Sequence, residues 1–205
     1  MFNFRLSSIA SSFIWVLMML TSLSYIVNDI ASLGIEAFYS LSIYLEIGLF
    51  GACIAATILS YKGYMKAFYI IVIVIIAIKC GDLIATTMLL FDYITFIPQL
   101  EDKVAQLYLI FSGIITPICL CLYLPFFIAL FVLSLKRLPS RYMLKQVCVI
   151  LGALFLFSHF ATTACYYFTG DGEINFINLV TDLVFAIAYG LMFVSLPNSM
   201  VNTVF

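Results

Sequence analysis

The sequence predicts an all-α polytopic transmembrane helical bundle, and three observations carry that prediction. Charged residues make up 9% of the chain and hydrophobic ones 65%, whereas a water-facing domain needs about a quarter of its residues charged. Apolar stretches of bilayer-spanning length recur along the chain. Basic and acidic residues alternate between the connections that separate them. Lipid tails cover apolar side chains directly, so a bilayer removes the shortage of polar surface.

Taken in order, the stretches run approximately through 6–28, 36–60, 67–90, 104–134, 146–169 and 176–196. A helix needs roughly 20 residues to cross the hydrocarbon. Polar punctuation separates them at Asn28-Asp29, Tyr61-Lys62-Gly63, Pro98 to Lys103, Lys136 to Lys145 and Gly170 to Asn175. Arg5 followed by an apolar run marks the first as a retained signal anchor, because no small-residue cleavage site precedes Asn28. The fourth carries Pro117 and Pro125 and exceeds an untilted crossing, which predicts a kinked, tilted or partly interfacial helix. Pro197 to Phe205 reads as a short uncharged tail. The whole chain, 1–205, is one transmembrane domain without repeats or a separate soluble module.

Lysine and arginine orient the bundle. Arg5, Lys62, Lys66, Lys136, Arg137, Arg141 and Lys145 fall on one side of a six-span arrangement. Asp29, Glu36, Asp92, Glu101, Asp102, Asp171 and Glu173 fall on the other, with Lys103 the lone basic exception. The expectation is therefore six spans with both termini cytoplasmic, four being the alternative count.

Five ionisable residues lie inside the apolar stretches: Glu46, Lys79, Asp82, His159 and Asp182. Such residues are expensive in a membrane and face the bundle interior, not lipid. Counting from the nearest cytoplasmic marker puts all five roughly 20–24 Å above the inner boundary, in one polar layer. Helical spacing adds Thr86 to Lys79 and Asp82, adds Thr162, Thr163 and Tyr166 to His159, and adds Asn175 and Asn178 to Asp182. The bland alternative is structural glue, with Lys79 neutralised by Asp82 three residues away. On the second span, Gly48, Ala52, Ala56 and Ser60 form a small-residue strip that allows close helix approach, within the bundle or between copies.

Chemical signatures are missing from the sequence. It has no GxGxxG, P-loop, HExxH or CxxC motif, and one histidine is too few for a multi-histidine metal or haem site. The six cysteines all sit in apolar runs, where they read as small buried hydrophobes, not as a disulfide framework or metal ligands. No enzyme, metal or cofactor is expected. A net charge of −1 argues against direct nucleic-acid binding.

Two function classes follow. One is a sensor, anchor or scaffold that acts through self-assembly or a cytoplasmic partner, docking on the basic loop with Lys136, Arg137, Arg141 and Lys145; the competing role of that loop is topology and contact with anionic lipid. The other is a small channel, transporter or substrate-binding subunit using the polar layer, a format similar to the substrate-capture subunits of vitamin importers. In overall format, as a small Ile/Phe/Tyr-rich chain without catalytic motifs, the sequence also resembles membrane components of bacterial anti-phage systems such as Kiwa. That resemblance implies an inner-membrane homo-oligomer with a cytoplasmic DNA-binding partner, in antiviral defence. The family is described with four spans, two fewer than the charge pattern predicts here.

Overall fold

The structure is a computed structural model that describes residues 8–39, 41–94, 101–169 and 176–202. Side chains 82–94 and 176–182 lie outside the described set, as do Arg5 and the acidic turn with Asp171 and Glu173. The described residues form helices joined by short turns and contain no strand. Six helices follow one another: α1 Ser8–Leu33, α2 Leu41–Lys62, α3 Met65–Ile94, α4 Lys103–Leu135, α5 Arg141–Thr169 and α6 Phe176–Asn202. Three described stretches, Ile43–Lys62, Lys103–Leu135 and Arg141–Phe168, are long and apolar enough to cross a membrane, so the chain reads as membrane-embedded.

The helix ends correct the sequence reading in three places. Helix α1 continues through Asn28 and Asp29 and stops only before Gly34, whose φ of +59° is a left-handed conformation that favours glycine. Helix α5 begins at Arg141, so the basic connection is only residues 136–140, and Arg141 and Lys145 belong to a helix rather than a loop. Helix α6 passes through Pro197 to Asn202, where a tail was expected.

The proline is tolerated for a reason that lies on another helix. Pro197 has no N–H to give the Phe193 carbonyl four residues back. The Tyr123 hydroxyl of α4 donates to that carbonyl instead, at 2.9 Å, in a fully buried setting. Tyr123→Phe should therefore strand the carbonyl and cost about 1–3 kcal/mol. Pro197→Ala restores a backbone donor, so the double variant should recover most of the loss. Thermal melts in detergent measure this; a double variant as unstable as the single would show that the hydroxyl has some other role.

Helix α4 is a single long helix with a π turn at Phe111–Ile115, immediately before Pro117. The wider turn makes room at the point where the proline ring crowds the preceding carbonyls. Asp102 caps the start, its carboxylate accepting from the Val104 N–H at 2.8 Å.

Packing is densest within α1–α3 and within α4–α6, and the two groups meet along α3 against α4 and α1 against α6. Aromatic rings bridge the groups. Trp15 meets Phe68 edge-on, Tyr69 packs on Phe127 and Phe131, Tyr123 stacks on Phe127, and Phe193 touches both Tyr123 and Phe155. Trp15, Tyr69, Tyr123 and Phe127 are wholly buried. Because Tyr69 opens α3 while Phe131 closes α4, these contacts place the Lys62–Lys66 turn and the 136–140 connection at the same end of the bundle.

The tightest helix crossing is α5 on α6. A Cβ on Gly152 would sit 2.9 Å from the Phe193 carbonyl carbon and oxygen, and one on Gly190 would sit 2.5 Å from Leu156 Cβ. The expected strip on α2 behaves differently. Ala56 is fully buried and Ala52 packs against the core, but Gly48 is exposed and a Cβ there would meet only Ile78 Cδ1, at 3.9 Å. Within the bundle Gly48 thus makes ordinary contact with α3 and Gly152 the close backbone approach, while the exposure of Gly48 accords with the other role expected of the strip, contact between copies.

Candidate functional site

Helices α2 and α3 run antiparallel from the short turn at Gly63, so residues equally far from that turn come side by side. Glu46 is 16 residues before Lys62 and Lys79 is 14 after Met65. Their side chains meet: Lys79 Nζ donates to Glu46 Oε1 at 2.9 Å. The pair is largely shielded, with the Glu46 side chain 13% and Lys79 24% exposed. Two charges taken from water in this way need close geometry and further hydrogen bonds to offset desolvation. Oε1 has its partner, whereas Oε2 is buried with none among the described residues. One acceptor of the carboxylate is therefore open for a donor or a cation.

Groups from three other helices approach this pair. Tyr189 of α6 reaches across to α1 and α2, where it lies near Thr21, whose hydroxyl donates to the Leu17 carbonyl at 2.9 Å, and within electrostatic range of Glu46, Cys53 and Tyr25. Cys53 is wholly buried two turns beyond Glu46 on α2. His159 of α5 stacks on Phe155 with centroids 5.7 Å apart and presents an edge contact to Tyr189 at 6.5 Å. Below His159, Ser158 accepts from the Thr116 hydroxyl at 3.2 Å and donates to the Phe155 carbonyl, joining α5 to α4.

Of the five residues assigned to the polar layer, Glu46 and Lys79 are brought into direct contact, and His159 touches Tyr189, which lies within electrostatic range of Glu46. Asp82 and Asp182 sit on α3 and α6, with side chains outside the described residues. Lys79 reaches across to Glu46, a partner that spacing along one helix does not suggest. Thr162 and Thr163 hydrogen-bond the Ser158 and His159 carbonyls of their own helix, so this part of the α5 stripe is satisfied locally. Thr21 and Tyr189 escaped the sequence reading, because isolated Thr and Tyr in apolar helices give no periodic signal.

At the basic end, Lys136, Arg137 and the rest of the 136–140 connection are exposed, while Arg141 is half-buried and Lys145 is buried at 6% exposure. Among the described residues no group of three or more His, Cys, Asp or Glu side chains is placed to hold a metal ion. The arrangement consists of a shielded ion pair with Tyr189 within electrostatic range of it, and an aromatic file that runs from Tyr189 and His159 to the basic end. Compared with known proteins, the chain matches no family model, no curated protein and no solved structure.

Proposed function

We propose that this chain is a non-enzymatic multi-pass membrane sensor or scaffold that works through self-assembly or a cytoplasmic partner. In this reading it crosses a bacterial inner membrane six times, with both termini on the cytoplasmic side. The supporting observations are the shielded Glu46–Lys79 pair, Tyr189 within electrostatic range of Glu46, and the ring contacts that run from Tyr189 through His159, Phe155, Phe193, Tyr123 and Phe127 to Tyr69 near the basic end. Packed side chains with two discrete arrangements can carry a change at the ion pair to the exposed 136–140 connection, where a partner docks.

Co-purification from mild detergent tests this reading. A stoichiometric soluble partner or a defined oligomer supports it, and a lone monomer holding a small molecule overturns it. The crossing pattern has its own test. Accessibility tags in the 136–140 and 170–175 connections should label from opposite sides, and same-side labelling would refute six spans. Antiviral defence is the setting suggested by the format resemblance, and phage plating efficiency on cells with and without the chain checks it.

A second reading, as a small channel, transporter or substrate-binding subunit, is favoured by the open Oε2 of Glu46. It requires solute flux in proteoliposomes that Glu46→Gln abolishes while the variant still folds.

A further inference from the structure

We propose that Arg141 and Lys145 form a seat for a phosphate oxyanion at the membrane surface, supplied by an anionic phospholipid headgroup or by soluble phosphate. The two residues are four apart on the first two turns of α5, so they share a face. The first turn of this helix carries no acidic residue. A helix N-terminus already presents partial positive charge, and Arg141 and Lys145 add two cations where carboxylates are usually favoured.

Burial supplies the independent observation. Lys145 is only 6% exposed, and among the described residues no carboxylate pairs with it or with Arg141. The Arg141 Nε–H is buried without an acceptor, although its guanidinium packs 5.2 Å over the Tyr142 ring and contacts the Tyr142 hydroxyl. Ser134, in the last turn of α4 at the other side of the short connection, is 2% exposed and its hydroxyl has no partner. Buried cations are normally paired. An oxyanion offers acceptors to a guanidinium and an ammonium on one helix face, and basic sites on membrane helices hold lipid phosphate in this way. Lys136 and Arg137 are exposed, so they belong to the solvated connection and provide a comparison of equal charge.

The test is thermal unfolding of the full chain in neutral detergent, titrated with phosphatidylglycerol in one arm and inorganic phosphate in the other. Wild type should gain several degrees. Lys145→Met and Arg141→Gln should each lose most of that gain, while Lys136→Gln and Arg137→Gln retain it. Without ligand, Lys145→Met should melt no lower than wild type, because no ion pair among the described residues is lost with the ammonium. A gain with phosphatidylglycerol alone assigns the seat to lipid; a gain with inorganic phosphate assigns it to a soluble anion. No gain in either arm, or an equal loss in all four variants, overturns the proposal. If Lys145→Met fails to fold, Arg141→Gln decides on the same readout.

Discussion

Lys79→Met is expected to lower stability by about 3 kcal/mol, a fall of roughly 6–12 °C in Tm for a chain of this size. Methionine keeps the volume and removes the ammonium 2.9 Å from Glu46 Oε1. Glu46 then has one buried oxygen that never had a partner and another that has lost its own. Breaking a shielded pair from one side costs much more than removing it altogether. The double variant Glu46→Leu/Lys79→Met should therefore return to within about 1 kcal/mol of wild type, and the double-mutant cycle should show strong coupling. A single variant with no effect, or a double variant as unstable as the single, would mean that the pair is solvated and energetically idle. The double variant also bears on function. If the pair is only structural glue, the restored protein keeps its partner or its oligomeric state. If the pair is the responsive element, the protein folds and fails to act.

How much of this was legible in the sequence depended on whether a feature was local. Six apolar runs became six helices, because a membrane helix satisfies its own backbone and needs only length and hydropathy to be recognised. Helix ends were misread where a polar residue looked like punctuation. Asn28, Asp29 and Arg141 all lie inside helices close to their ends, so a polar residue there did not mark the boundary. Pro197 was misread for a different reason, since what compensates it is the hydroxyl of Tyr123, 70 residues away along the chain. Counting along helices put Glu46 and Lys79 at similar heights, but their contact required knowing that α2 packs on α3. The role of Arg141 and Lys145 changed on the same grounds: sequence placed them in a loop, and burial against the bundle separates them from Lys136 and Arg137.

Gly152→Ala is expected to destabilise the bundle by about 1–3 kcal/mol, and Gly48→Ala to leave it unchanged or slightly more stable. Small-residue spacing pointed to α2 as the place of close approach, so the two substitutions separate the sequence pattern from the packing. At Gly48 the added methyl makes ordinary contact with Ile78 and removes the entropic cost of a helical glycine. At Gly152 the added methyl meets the backbone of Phe193 at 2.9 Å and the Val194 nitrogen at 3.2 Å. Backbone cannot rotate aside, so α6 must shift. The same Phe193 carbonyl holds the Tyr123 hydrogen bond that makes Pro197 tolerable, so a shift there disturbs both. Gly190→Ala differs in kind, because its obstacle is the Leu156 side chain, rooted at a Cβ 2.5 Å away. Adding Leu156→Gly should partly rescue Gly190→Ala, whereas no side-chain truncation on α6 should rescue Gly152→Ala. Melting temperatures of these variants, with Gly51→Ala as a control whose Cβ meets nothing within 4 Å, measure the difference directly. Equal losses at Gly48 and Gly152 would mean that α5 and α6 do not cross where Gly152 faces Phe193, and the ring contacts that run from Tyr189 to the basic end would lose their central member.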